Sequence, residues 1–579
     1  MFGAGGGTSS YREVEQTGLV ILWGSNARET HPIFFHHLLR GVRNGAQLIA
    51  VDPRRTGSAE WADVWLGLDV GSDISLANAM ARVIIHEGLA DTGFIARATS
   101  GYDEFARCVE AYPLERAERE TGVPAAAIKD VALAFGRAKT GMICWTLGIT
   151  EHHNATDNVL ALINLALLTG KVGRFACGLN PLRGQNNVQG GGDMGAIPAR
   201  FPGFQGLEEP AIHTKFTSAW GGAKFPSKKG YHLSEMFESM DHDELKALYI
   251  IGENPARSEA DQTRAVRLLT GLDHLVVQDI FLTQTAELAH VVLPAAAGWA
   301  ESEGTVTNSE RRVQRVRRAL DPPKGARDDV ELLCDIAKRL GVDWGHPTAE
   351  EVWDECRSLS PMHAGMSYAR LDELGGIQWP CPDESHPGTE FLHARLWRDP
   401  IDGPAAPFHA VEHDPPVDLL TEEFPIRLTT GRRLDSFNTG VQTGGYTSPL
   451  RTREAILISP SDGARLGIHD GERVPRQLAA RLSGSADSVR RFPAPWPCLH
   501  DPPFPGPGGH QHPHHRRHRS QIGHGRVQGE RDPDRQAGPG PGQVIGHTDH
   551  RGTADSRGDR RHRRIPRCSR IPVGGRRTR

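Results

Sequence analysis

The run LVILWGSNARETHP (residues 19–32) has a partner further along the chain in ALYIIGENPARSEAD (residues 247–261), and the pair decides the fold. Each begins with a short apolar run and closes on a Gly-x-Asn turn, Gly24-Ser25-Asn26 in one and Gly252-Glu253-Asn254 in the other. Continuous apolar runs of this length, not alternating ones, are expected of parallel strands buried on both faces. The next apolar runs, AQLIAVD (46–52) and HLVVQD (274–279), both end in Asp, at Asp52 and Asp279. Beyond them TGSAEWADVWL (56–66) and TQTAELAHVVL (283–293) match in register at Thr, Ala, Glu, Ala, Val and Leu. A pattern duplicated over this span predicts two similar doubly wound α/β halves. In such sheets ligands sit outside the carboxyl ends of the strands, where the Gly-x-Asn turns and the Asp residues fall.

GMICWTLG (141–148) supplies a further strand, and DNVLALINLALLTGKVG (157–173) an apolar helix closed by glycine. The fold class is therefore α/β: two doubly wound dinucleotide-binding domains, then the start of a C-terminal β-barrel-like domain and a disordered tail. The expected boundaries are 1–185, 186–410, 411–474 and 475–579, the second including inserted α/β segments. The tail from Pro475 holds 21 Arg, no Lys and 8 acidic residues, a net of about +13 in a chain whose total is −4. Its aromatics are Phe492, Trp496 and Phe504 alone, too little apolar matter to offset the entropy of folding. The 8 cysteines are scattered without a CxxC spacing, which argues against a metal or iron–sulfur site built from this chain and for a reducing, cytoplasmic setting. No apolar run reaches membrane-spanning length, and the chain opens on no signal-peptide pattern.

The densest chemical signal is NPLRGQNNVQGGGDMG (180–195): Arg183, a glycine cluster, and the amides Asn180, Gln185, Asn186, Asn187 and Gln189. Neither glycine clusters nor amide runs favour stability, so the composition points to a ligand. Amides on a Gly-rich loop suit a flat heterocycle bearing donors and acceptors, and the fork of Arg183 suits a planar oxyanion. A solvated loop with a surface arginine is the competing reading.

Taken with GSNARETHP, VDPRRT, GSDISLANAM, VQDIFLTQTAELAHVVLP, EGTVTNSERRVQ, DELGGIQWPCP and LTTGRRLDSFNTG, this loop makes residues 1–474 resemble the molybdopterin oxidoreductase family. Within it they resemble the catalytic subunits of molybdenum (or tungsten) formate dehydrogenases. The resemblance implies two molybdopterin guanine dinucleotides holding one metal, formate oxidised to CO₂, and electrons leaving through a 4Fe-4S cluster to subunits carrying iron–sulfur clusters or flavin. By motif, Arg183 would orient formate with Gln185 beside it on the pterin. Asn26, Glu29, Asp52, Arg54, Gly71, Asp73, Gly148, Glu151 and Gly184 would line one dinucleotide. Gly252, Glu253, Asp279, Thr283 and Arg432 would line the other. Arg54 and Arg432 read equally as surface arginines, and Glu29 as a helix-start acid. His31, His152 and His153 read as structural or lining groups. Nitrate reductases of the family lack the arginine in a Gln-Asn-Asn setting, which favours formate.

Two departures bear on activity. The family's metal-ligating Cys or selenocysteine, with the His after it, would lie upstream of Met1, as would the 4Fe-4S domain. No metal ligand is therefore expected within this chain. The tail is the second departure. Back-translated with one base dropped, PRQLAAR (475–481), PCLHD (497–501) and HHRRHRSQ (514–521) each read as runs typical of the family's last domain, all with the same offset. A single extra nucleotide near the Pro475 codon is the expected origin, and little or no formate oxidation is expected of the chain as it stands. Two other readings stay open: another bis-molybdopterin oxidoreductase such as an assimilatory nitrate reductase, and a nucleic-acid- or metal-binding protein acting through the basic tail, with nucleic acid disfavoured.

Overall fold

The computed structural model describes residues 5–222, 225–432, 434 and 456–474, together with the backbone of the strands Arg476–Ala479 and Gly525–Gly529. The first duplicated run forms β1 (Leu19–Trp23), followed by β2 (Gln47–Val51) and β3 (Val64–Leu66). With β4 (Met142–Trp145) and β5 (Gly178–Pro181) they make a parallel sheet of order β3-β2-β1-β4-β5. Leu19, Ile21 and Trp23 pack to one face with Met80, Leu165 and Ile49, while Val20 and Leu22 pack to the other with Phe34, Leu38 and Leu48. Helices therefore cover both faces: α3 (Asp73–His86) and α4 (Ala155–Leu168) on the first, α2 (Pro32–Arg43) on the second, with the short α1 (Tyr11–Val14) beside α2. Burial on both faces is why the strands read as unbroken apolar runs. β5 leaves no such mark: GLNP contains Gly and Pro, and pairing to β4 makes it a strand.

The second run forms β6 (Ala247–Ile251), β7 (His274–Asp279) and β8 (Val291–Pro294), a parallel sheet of order β8-β7-β6. Helices α6 (Leu233–Asp241) and α7 (Gln262–Thr270) pack on it through Phe237, Ala265, Leu268 and Leu269. The repeat holds atom by atom. Gly24 and Gly252 take φ of +56° and +64°, and their N–H groups donate across the sheet to the carbonyls of Val51 and Gln278, both at 2.8 Å. Asn26 Oδ1 accepts from the N and Oγ of Ser58 (3.3 and 3.1 Å), and Asn254 Oδ1 from the N and Oγ1 of Thr285 (3.1 and 2.7 Å). Asp52 Oδ1 accepts from Arg54 N, as Asp279 Oδ1 does from Phe281 N.

Between the second sheet and the C-terminal segment lies an antiparallel ribbon, β9 (Gly304–Thr307), β10 (Arg312–Val316) and β11 (Ile377–Gln378). In its turn Arg311 is fully buried in a left-handed conformation, φ +66°. Among the described residues its guanidinium makes no hydrogen bond to a carboxylate. It donates to the main-chain oxygens of Gly7 (2.6 Å), Thr389 (3.0 Å), Glu390 (2.8 Å) and Trp379. Glu13 and Glu310 act on it only at longer range, and burial pushes its pKa down to about 10.

Past residue 425, β12 (Ile426–Leu428) pairs antiparallel with β14 (Gly525–Gly529), which pairs antiparallel with β13 (Arg476–Ala479). The rest of the tail, with most of HHRRHRSQIGHGRVQG, lies outside the described residues. Among the described residues no helix is long and apolar enough to cross a membrane.

Replacing Arg311 by Met is expected to leave four buried carbonyl groups without their donor. The cost is at least about 3 kcal/mol, since each orphaned group costs about 1–3 kcal/mol. The urea midpoint of the full chain reads this, and an unchanged midpoint would show that the knot holds nothing.

Candidate active site

The carboxyl ends of β1, β2, β4 and β5 converge. Gly24 and Gly148 touch main chain to main chain: a Cβ on Gly148 would fall 2.6 Å from Gly24 O, and Gly148 N donates to that oxygen. Thr146 Oγ1 donates to it as well (2.7 Å). Asp52, half-buried at the end of β2, has its pKa raised by burial, which the Arg54 N–H and charge oppose. Arg54 lies against Gly431, its Nη2 2.7 Å from where a Cβ would sit. Arg432 follows, attracted by Glu151, and its Nη1 lies 3.1 Å from the Cβ position of Gly184. Asp52, Arg54, Glu151, Gly184 and Arg432 thus gather at one end of the sheet.

His31 belongs to the same group and is more central than its sequence reading implied. It is 9 % exposed, with Nδ1 2.7 Å from Thr30 Oγ1. Its Nε2 is buried without a hydrogen-bond partner among the described residues, 3.9 Å from the Cβ position of Gly184. Burial, reinforced by the charge of Arg432, lowers its pKa to about 4. His152 Nε2 lies 2.9 Å from Gly148 O, and His153 Nε2 2.8 Å from Asp414 Oδ2.

Other expected residues are engaged inside the protein. Asp73 is buried at the first residue of α3 and accepts from Trp23 Nε1 (2.8 Å); burial raises its pKa. Gly71 is buried, with the Pro416 ring 2.4 Å from its Cβ position, so its open approach is filled by proline. Asn26 is spent on Ser58, while among the described residues nothing fixes the carboxylate of Glu29, in the first turn of the short helix Ala27–Thr30. In the second half Gly252 has open space where a side chain would begin, and Glu253 is exposed with Oε1 accepting from Ser258 Oγ. Asp279 is half-buried and raised by that burial, whereas Thr283 turns inward, its Oγ1 accepting from Ala286 N.

Arg183 follows β5. Its main chain is clamped by Ser309, whose Oγ accepts from Arg183 N (2.9 Å) and donates to Arg183 O (3.0 Å). Burial lowers its pKa, and the charge of Asp193 opposes this. Gln185 and Asn186 are exposed beside it. The three other amides do not line a ligand face, which corrects their sequence reading. Asn180 Oδ1 accepts from Ser9 N, Asn187 Oδ1 from Thr307 N, and Gln189 lies beneath Arg183. Amide composition was legible, but the direction of each amide is set by segments far away in sequence. Asp193, Ser309 and Trp379, which complete the setting, carry no local signal.

The "Molybdopterin oxidoreductase" family pattern matches residues 4–339, and the "Molydopterin dinucleotide binding domain" pattern residues 426–475. The F420-dependent formate dehydrogenase 2 subunit alpha of Methanococcus maripaludis is 41% identical over 84% of this chain and 71% of its own length. The chain belongs to the molybdopterin oxidoreductase family. Formate dehydrogenase H of Escherichia coli is 38% identical over 81% of this chain, which spans 66% of that relative. Among solved structures, acetylene hydratase from Pelobacter acetylenicus superposes with a TM-score of 0.60 at 21% identity, covering 82% of this chain and 69% of its own, and so shares the fold. As a molybdopterin oxidoreductase the chain is an enzyme of oxidation and reduction, with its dinucleotide-binding segment beginning at β12.

The folded chain resists a proton on His31 down to about pH 4, where an unfolded histidine takes one below about 6.5. Its stabilising contribution is therefore complete above 6.5 and lost as pH falls toward 4. His31→Gln is expected to flatten that part of the stability curve by on the order of 2 kcal/mol, read from melting temperatures at pH 6.5 and 4.5. His363 and His393, also lowered to about 4 by burial, keep the remaining slope. A drop as large as the parent's would remove His31 from the account.

Proposed function

We propose that this chain is the catalytic subunit of a formate dehydrogenase, converting formate to CO₂, a proton and two electrons. The observation that carries the reading is Arg183, clamped at the head of a glycine- and amide-rich loop beside the sheet ends. Relatives named as formate dehydrogenases support it over most of the chain.

The site's residues fit a pair of molybdopterin guanine dinucleotides. Gly252 presents bare main chain with room beside it, while Gly24 and Gly148 pack against each other and bring the ends of β1 and β4 together. His31 Nε2 is buried and makes no close hydrogen bond among the described residues, with the main chain of Leu182 and Arg183 beside the ring. Asp52 and Asp279 sit at equivalent strand ends, half-buried, ready to accept from hydroxyl or amine groups. In this reading Asn26, Glu29, Asp52, Arg54, Gly71, Asp73, Gly148, Glu151 and Gly184 border one dinucleotide, with Gly71, Asp73 and Asn26 acting through the walls they brace. Gly252, Glu253, Asp279 and Thr283 border the other, while Arg432, expected there from the sequence, stands beside Gly184 and Glu151 on the first. The molybdenum (or tungsten) centre, once bound, supplies the two-electron acceptor that no side chain can be.

The chain's own part is to hold and orient the anion. Arg183 binds the formate carboxylate by charge-assisted hydrogen bonds, which fix distance and direction together. Gln185, exposed one residue past Gly184, faces the pterin. His31, neutral at physiological pH, offers a hydrogen-bonding group without adding a further positive charge between Arg183 and Arg432. In the intact protein a 4Fe-4S cluster, held outside this chain, would take the electrons on toward electron-transfer subunits bearing iron–sulfur clusters or flavin, in a cytoplasmic setting.

The test is formate binding to the full chain, followed by saturation-transfer NMR. The parent is expected to bind, and Arg183→Met to weaken binding at least about tenfold, the scale of one lost charge-assisted pair. Equal binding by the two proteins would refute the assignment of Arg183.

A further inference from the structure

Arg183 is held from behind. Its Nε donates to Gln189 Oε1 (3.0 Å), and its Nη2 to the main-chain oxygen of Gly5 (3.0 Å). The same glutamine amide governs both acceptors. Gln189 Nε2 donates to Gly5 O (3.1 Å) and to Asp193 Oδ1 (2.8 Å). Asp193 Oδ2 in turn accepts from Trp379 Nε1 (2.8 Å). Gln189, Asp193 and Trp379 are each no more than 3 % exposed. A buried relay therefore runs Trp379–Asp193–Gln189–Arg183 and comes to the surface only at the arginine. Gln189 and Asp193 stand four residues apart on α5 (Val188–Asp193), so one helical turn sets their spacing.

The residue types are those the relay demands. A side-chain amide can accept from a guanidinium and donate to a carboxylate at once. Leucine would fill the volume and break both links. Glutamate would accept from Arg183 but confront the charge of Asp193. Asp193 touches no cation among the described residues; Arg183, through Gln189, and Arg311 are the positive charges that face it. Burial pushes its pKa up to about 6. Of the guanidinium's five N–H groups, the Nε hydrogen and one on Nη2 are committed inward. The Nη1 pair and the second Nη2 hydrogen remain.

We propose that Gln189 and Asp193 are positioning residues for Arg183, turning its Nη1/Nη2 end, and not its Nε/Nη2 edge, toward the substrate carboxylate. The proposal rests on Arg183 being the formate-binding group. Neither residue touches the substrate.

The test uses the full chain, labelled with ¹⁵N-arginine, in four variants: Gln189→Leu, Gln189→Glu, Asp193→Asn, and the double variant Gln189→Glu/Asp193→Asn. One readout is solvent exchange of the Arg183 Nε–H, assigned by its absence in Arg183→Lys. The other is the dissociation constant for ¹³C-formate. Gln189→Leu is expected to speed exchange and weaken formate binding, each by about tenfold or more. Gln189→Glu is expected to weaken binding similarly, because two carboxylates then meet. The double variant restores the link between residues 189 and 193, the new amide donating to the new carboxylate, but not the donor to Gly5 O, and is expected to recover at least about threefold over Gln189→Glu in both readouts. A residue that merely packs would show no such rescue. Unchanged exchange and affinity in Gln189→Leu, or a double variant as impaired as Gln189→Glu, overturns the proposal. Should Gln189→Leu fail to fold, Asp193→Asn and the double variant, which keep volume, decide it. If the parent binds no formate, the substrate reading falls while the exchange comparison still judges the relay.

Discussion

Everything around Arg183 depends on a different arginine. Arg311, buried, with Glu13, Glu310 and Asp193 acting on it only through their charge, gathers main-chain oxygens from residues 7, 379, 389 and 390. Two of those segments supply what Arg183 needs: Gly5, two residues before Gly7, and Trp379 itself. The turn that carries Arg311 also carries Ser309, which clamps the main chain of Arg183. A buried guanidinium with only neutral acceptors is costly, and its lowered pKa shows the strain of desolvation. The cost is tolerable because its donors meet carbonyl groups that would otherwise be left unpaired in the interior.

The duplicated halves share their turn chemistry and differ in their surroundings. In both, a side-chain amide oxygen at the strand end is given up to a Ser or Thr across the turn, which fixes the glycine beside it in a positive-φ conformation. In the first half that glycine is pressed against Gly148, and the neighbouring groups include His31, Arg54 and Arg432. In the second it faces open space, and Ile280, Phe281 and Leu282 after Asp279 are exposed. One scaffold thus offers a polar, crowded rim and an apolar, open one.

Much of the scaffold was readable because its cause is local. Unbroken apolar runs mark strands covered on both faces, and glycine and aspartate at their ends mark where a ligand meets the sheet. The site was readable only as composition. Gln189 and Gln185 look alike in the sequence, yet one is buried as a relay and the other is exposed, a difference made by Gly5 and Asp193. Gly71 reads as a place for close approach until Pro416, far along the chain, occupies it. Arg311 reads as one charge in a basic pair. Its burial follows from carbonyl groups that no local pattern announces.

The carbonyl of Gly5 is shared by the two side chains that matter most, Arg183 and Gln189. That makes the extended stretch before α1 a lever. A displacement of the main chain there would be passed to the guanidinium through two bonds at once, with no helix or sheet having to move. A shift of Gly5 would therefore reach Arg183 as a change of aim before it appears as any change of shape.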